Sequence, residues 1–258
     1  MMTTARRIGA LALILACSAC STLDTALPAS EAPATTEDHM TTGFLFESVK
    51  VDGTDFGYAV YVPRGYTPDR KWPVIVFLNG RGECGMDGQK QVAVGLGTAV
   101  LAERDAWPFI IVFPQKPAAD TNWVDHEKLV MATLDATTSS YSTDAARVYL
   151  TGLSQGGRGT WEIAAKHPDR FAAIAPVCGF GDPASIAPKV KGIPVWAFHG
   201  QKDDVVPPKS TTDIIDALKA LGADATATLY PNANHNSWDQ AYRTEKLGEW
   251  FLAHVKGR

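Results

Sequence analysis

The residues in this chain best suited to chemistry are a serine between glycines, two adjacent aspartates and a histidine, met in that order. Gly152-Leu153-Ser154-Gln155-Gly156 has the form G-x-S-x-G. It follows an apolar segment ending at Leu150 and precedes a stretch of helical spacing that runs to His167, so the serine stands on a strand-to-helix turn. Such a turn holds the serine in a strained conformation with its hydroxyl exposed, and the small residues at 152 and 156 let neighbouring backbone pass. The helix start behind it offers oriented N–H groups and a partial positive charge, both suited to a developing oxyanion. The pentapeptide alone would equally fit a glycine-rich turn with a capping serine; the strand and helix around it favour the nucleophile. A serine hydroxyl attacks poorly without a base. Downstream, Asp203 and Asp204 lie in the segment His199 to Pro207, and His235 ends Tyr230-Pro231-Asn232-Ala233-Asn234-His235. His235 would take the proton from Ser154, and one of the two carboxylates would fix the imidazole tautomer and stabilise the imidazolium. The chemistry expected is attack on a carbonyl carbon through an acyl intermediate.

The elements that must position these groups are legible as alternating strand and helix. Phe44 to Val51 and Tyr58 to Pro63 alternate as an antiparallel hairpin around Asp52-Gly53. Continuous apolar runs then follow at Val74–Leu78, Phe109–Phe113, Val148–Leu150, Ala172–Ala175 and Val195–Phe198, the signature of strands buried on both faces, with a shorter strand near Ala225 to Tyr230. Helical spacing marks Gln91–Glu103, Lys128–Ser140, Gly156–His167, Lys209–Leu221 and Gln240–His254. This alternation predicts one domain over 43–258, with a mostly parallel central sheet, helices on both faces and right-handed crossovers. In such sheets the ligand site lies at the carboxyl ends of the strands. That is where Ser154, the aspartates and His235 all fall.

The composition narrows the function. The chain has 258 residues, 45% of them hydrophobic, with a formal net charge of -4 and no periodic repeat, which describes an ordinary globular protein. A pI of about 5.9 provides no global positive field, so a nucleic-acid partner is not expected. At the N-terminus, Arg6-Arg7 and the apolar run Ile8 to Ala16 have the layout of an export signal over residues 1–16. Leu13-Ile14-Leu15-Ala16-Cys17 resembles a lipobox, so Cys17 is the expected lipidated residue and Cys20 the alternative. Residues 17–42, rich in Ala, Thr, Pro, Ser and Glu, are expected to be a flexible linker. The expectation is therefore an exported protein held to a membrane by its lipid, periplasmic or at the outer membrane, with Ser18 after Cys17 compatible with the latter.

The chain from about Pro63 to Phe251 resembles bacterial α/β-hydrolase esterases of the carboxylesterase/phospholipase and dienelactone-hydrolase-related group, which includes feruloyl esterase-like and polyhydroxyalkanoate depolymerase-like members. The resemblance rests on Leu78-Asn79-Gly80-Arg81-Gly82-Glu83, Gly152 to Gly157, Ala175 to Gly179, His199-Gly200 with Asp203 to Pro207, and Asn234 to Trp238. The order Ser, Asp, His along the chain is that of the α/β-hydrolase fold. The resemblance implies a serine esterase without a large lid and without cofactor or metal, acting on a small-molecule or polymer-linked ester. Its pattern H-G-x-x-D-x-x-V-P selects Asp203 over Asp204. It also implies an oxyanion hole from the backbone N–H groups of Gln155 and Arg81, although Asn79 stands where relatives usually have His. Relatives that open dienelactones commonly carry Cys at the position of Ser154, which argues against that substrate here.

Other residues have plainer roles. Trp123 and Trp238 lie in loops where they could line a pocket or only pack. His167 closes a helix before Pro168, His199 reads as a packing or loop-fixing residue, and His39, His126 and His254 show no metal-ligand spacing. Cys84 and Cys178 fall at the same sheet edge, where a disulfide and two free thiols are both open readings. Two other functions compete with the esterase: a thioesterase or peptidase of the same fold, and a non-catalytic lipid-anchored binding protein that kept the scaffold.

Overall fold

A computed structural model describes residues 41–257. The expected signal segment, most of the linker, Cys17 and Cys20 lie outside the described residues. The hairpin pairs β1 (Gly43–Val51) with β2 (Thr54–Val62) in continuous register from Gly43↔Val62 to Val51↔Thr54. Its two-residue turn places both Asp52 (φ 48) and Gly53 (φ 85) in the left-handed region, the geometry that matches strand twist. The second strand therefore starts directly after the turn, four residues before Tyr58.

Six further strands complete the sheet: β3 (Trp72–Leu78), β4 (Ile110–Pro114), β5 (Thr143–Leu153), β6 (Ala173–Val177), β7 (Val195–Gly200) and β8 (Ala225–Tyr230). Their spatial order is β1-β2-β4-β3-β5-β6-β7-β8, antiparallel at β1/β2 and β2/β4 and parallel from β4 onward. The chain leaves β3 toward one edge and returns to pair β5 on its other side. The crevice between the ends of β3 and β5 is therefore a topological switch point, where open α/β sheets bind ligands.

The apolar runs are continuous because both faces are covered. Val74, Val76 and Leu78 of β3 face a core shared with α2 (Glu127–Ser140), α3 (Gln155–Lys166), α4 (Pro183–Val190) and α5 (Lys209–Ala220). Ile75 and Phe77 face the opposite core, closed by α1 (Leu96–Ala102), α6 (Trp238–Arg243) and α7 (Leu247–Ala253). This period-two partition sends alternate side chains into different layers.

Two expectations about helices are corrected, and one helix is added. The stretch from Gln91 is not one helix: a 3-10 turn (Lys90–Ala93) is separated from α1 by Gly95, whose φ of 55 turns the chain beside Leu153. The stretch from Gln240 divides into α6 and α7. Tyr242 and Leu247, both buried in the same core, are five residues apart and would sit about 140° apart on a continuous helix. The break re-phases them. Helix α4 is an additional element, masked in the sequence by its two prolines; Pro183 occupies its first turn, Asp182 caps it through the Ala184 N–H (3.2 Å), and Pro188 faces solvent.

Glycines allow β3, β5, β6 and α3 to approach at one point. A Cβ on Gly152 would lie 2.6 Å from the Gly156 carbonyl and 2.7 Å from that of Leu78, and a Cβ on Gly156 would collide with the Leu78 carbonyl oxygen. Gly192, by contrast, faces open space. Gly156→Ala is therefore expected to lower stability by about 2–3 kcal/mol through overpacking, while Gly192→Ala stays within about 0.5 kcal/mol, as read from urea denaturation midpoints.

Candidate active site

Strand register brings the site together. Leu78 pairs with Gly152, Leu153 with Val177, Val177 with Phe198 and Gly200 with Tyr230, so the loops after β3, β5, β6, β7 and β8 all emerge at one sheet edge. Ser154 sits between β5 and α3 at φ 54 and ψ -115, and its N–H donates to the Val177 carbonyl (2.9 Å). Its side chain does not cap the helix. The hydroxyl is thereby left for other partners.

The loops after β7 and β8 are joined along their main chains. Gln201 N–H donates to Tyr230 O and Lys202 N–H to Ala233 O, each at 2.9 Å. A Cβ on Gly200 would stand 2.5 Å from the Ala233 carbonyl oxygen, so only glycine admits this crossing. The joined loops set Asp203 beside His235. His235 Nδ1 lies 2.7 Å from Asp203 Oδ2, and Nε2 lies 2.9 Å from Ser154 Oγ. Since Nδ1 faces a carboxylate, it carries the proton, and Nε2 is left to accept from the serine hydroxyl.

Asp203 is buried whereas Asp204 is exposed, so the structure places the former in the array. Its Oδ1 accepts the N–H groups of Val205 and Val206, each at 2.9 Å. Burial alone would raise its pKa, but the bonds from His235 and from these two amides outweigh burial and hold the carboxyl below its usual range. Behind it, His199 is fully buried, with Nε2 3.0 Å from Asp203 Oδ2 and 2.9 Å from the Val206 carbonyl, and Nδ1 2.7 Å from Thr211 Oγ1. Burial depresses its pKa despite these acceptors. The sequence reads His199 as a packing or loop-fixing residue, which its bonds to Val206 and Thr211 fit; its approach to Asp203 is visible only in the fold.

An open cavity of about 410 Å³ lies over the serine, lined by the loop from Gly80 to Glu83, by Leu153, Ser154 and Gln155, and by Phe180, Val205, Val206, His235 and Trp238. Arg81 and Gln155, the expected oxyanion donors, thus both border it. The Gln155 side chain reaches Ala119 O (3.1 Å) and ties the helix start to the loop after β4. Trp238 meets His235 edge-on, with ring centroids 5.6 Å apart. Trp123 lies elsewhere: it is fully buried, packs against Gly159 and donates its indole N–H to the Asn79 carbonyl (2.9 Å), so the pocket role expected of it is corrected to a structural one. Phe180 and Val205 line the cavity without a prior signal in the sequence; Val205 is 66% exposed, an unusual state for its type.

Asn79, which departs from the usual histidine, ties β3 to β4. Its Oδ1 accepts the Lys116 N–H (3.2 Å) and its amide donates to Gly80 O (2.6 Å). Cys84 and Cys178 are free thiols. Cys178 is buried beneath Ser154 and burial pushes its thiol up to about 12. His167 contacts Glu127 (2.9 Å) and His126 contacts Thr121 (2.8 Å), both away from the cavity.

The sheet topology and the strand-helix turn at Ser154 define an α/β-hydrolase fold. Residues 97–244 match the dienelactone hydrolase family, and the chain belongs to it. A protein of Salmonella typhimurium named as a candidate carboxymethylenebutenolidase is 32% identical over 144 residues, covering 47% of this chain and 53% of its own length. The bifunctional acetylxylan esterase/xylanase XynS20E of Neocallimastix patriciarum is 26% identical over 184 residues, 67% of this chain and 26% of its own. Among solved structures, one described as a thermostable esterase matches with a TM-score of 0.72 at 30% identity, covering 83% of this chain and 63% of that one. The chain spans about half the length of the curated carboxymethylenebutenolidase relative.

The depressed Asp203 pKa has a definite sign in stability. A carboxyl whose folded pKa lies below its unfolded value of about 3.9 stabilises the fold above that pH and loses the contribution as pH falls through the folded value. Wild-type stability is expected to fall more steeply than that of Asp203→Asn below about pH 4, as urea midpoints measured from pH 7 down to pH 3 will show.

Proposed function

We propose that this protein is a serine esterase that hydrolyses carboxylic esters through an acyl-enzyme on Ser154. The observation that carries the reading is the imidazole of His235, bonded through one nitrogen to Ser154 Oγ (2.9 Å) and through the other to Asp203 (2.7 Å) at the floor of an open cavity. As the serine oxygen attacks the ester carbonyl, its proton passes to His235 Nε2, and the imidazolium is balanced by Asp203. The oxyanion is received by the backbone N–H groups of Gln155 and Arg81. His235 then protonates the departing alcohol, and water activated by the same nitrogen releases the acid.

The relatives named as acetylxylan esterase and thermostable esterase support ester cleavage as the reaction class. The cavity is open, with Leu153, Phe180, Val205, Val206 and Trp238 as its apolar lining, which suits a small acyl group and leaves room for a bulky or polymer-linked alcohol. From the sequence alone we extend the proposal to an exported lipoprotein acylated at Cys17, without metal, organic cofactor or nucleic-acid partner.

Ser154→Ala is expected to reduce turnover of a short-chain aryl acetate at least about a thousandfold, and a fluorophosphonate should label the wild type at Ser154. Unchanged turnover in that variant would assign the chemistry to another residue. Asp203→Asn should lose several orders of magnitude in kcat, on the order of 10⁴, whereas Asp204→Asn should stay within about threefold because exposed substitutions away from the site act weakly.

A further inference from the structure

We propose that His199 is a positioning residue for the reaction: its Nε2–H, shared between the Val206 carbonyl and the same Asp203 oxygen that receives His235, sets both the orientation and the basicity of the Asp203–His235 pair. The inference rests on the triad reading above and goes beyond it, because three residues already suffice for the proton relay.

The proton on His199 can be placed by elimination. Nε2 stands 3.0 Å from Asp203 Oδ2 and 2.9 Å from the Val206 carbonyl, two groups that only accept. A bare lone pair there would oppose two others in a fully buried position, so Nε2 carries hydrogen. On the far side, Nδ1 is 2.7 Å from Thr211 Oγ1, a hydroxyl able to donate. The neutral ring is thus satisfied at both nitrogens, and burial favours this neutral form over the cation. The titratable groups facing His199 are Asp203 and His235, and the Cys178 thiol faces Asp203; burial pushes that thiol's pKa up to about 12, so it stays neutral. Thr211 Oγ1 also lies 3.1 Å from the Gly179 carbonyl, a second acceptor for its single proton, and the shorter contact to Nδ1 takes that proton once Nε2 carries the ring hydrogen.

The consequence follows from competition for one oxygen. Oδ1 of Asp203 is occupied by two amides, so the carboxylate cannot rotate without losing them, and Oδ2 divides its charge between two imidazoles. Hydrogen bonds to an anion lower its proton affinity. Removing the His199 donor concentrates the charge of Oδ2 on His235, makes that ring more basic, and frees the carboxylate to tilt.

The test compares His199→Met, which fills space without a donor, with His199→Gln, whose amide can reach the place of Nε2. Activity is expressed per site titrated by fluorophosphonate. In His199→Met the acid limb of the pH profile of kcat/KM is expected to move to higher pH by about half a unit to one unit, with kcat down about tenfold and KM little changed. In His199→Gln the limb should return toward wild type and kcat should recover to within about threefold. A limb and a per-site kcat unchanged in His199→Met would overturn the proposal. If His199→Met does not fold, Thr211→Val removes the donor that fixes the ring's tautomer; the same shift to higher pH is expected, and an unmoved profile overturns the proposal. Failure of the fluorophosphonate to label wild-type Ser154 would instead refute the triad reading itself.

Discussion

Backbone crowding at the start of α3 governs this molecule. At Gly152 and Gly156 the main chains of β3, β5 and α3 come closer than any side chain would permit, and Gly157 does the same against the end of β6. The chain can turn from strand to helix there only if one residue accepts a left-handed conformation, and that residue is Ser154, at φ 54. The strain is of the kind that persists only where surrounding packing over-determines it. Here the packing comes from strands buried on both faces, so the cost at one residue is offset by two hydrophobic layers. The same closeness brings the loop after β3, with Arg81, alongside the start of α3, with Gln155.

The second constraint is the pairing of the loops after β7 and β8. Asp203 and His235 come from segments separated by a whole helix and strand, yet their relative position is fixed by main-chain bonds and by Gly200. Side chains carry the chemistry while the backbone carries the alignment. The membership of the chain in the dienelactone hydrolase family is consistent with this division, since loops at a strand edge can change without moving the sheet.

Much of the fold was legible in the sequence because its strands are apolar on both faces. Runs such as Val74 to Leu78 leave no choice of register between a wet and a dry side, and G-x-S-x-G marks a strand-helix junction by its glycines. Where reading failed, a local rule was overridden from a distance. The helix expected from Gln240 breaks where Tyr242 and Leu247 share one core, and α4 forms although its exposed Pro188 withholds a backbone donor. Within the site, order along the chain points to His235 and to the Asp203-Asp204 pair, while the choice of Asp203 comes from the family resemblance. The burial of Trp123 under Asn79 and the contact of His199 with Asp203 depend on which residues meet across strands, information that spacing does not contain.

Val205 divides its labour in a way that bears on how such a site diversifies. Its amide belongs to the acid, holding Oδ1 of Asp203, while its side chain stands at the cavity rim, 66% exposed. Any residue other than proline supplies that amide. The rim side chain can therefore be exchanged freely while Asp203 and His235 beneath it keep their geometry.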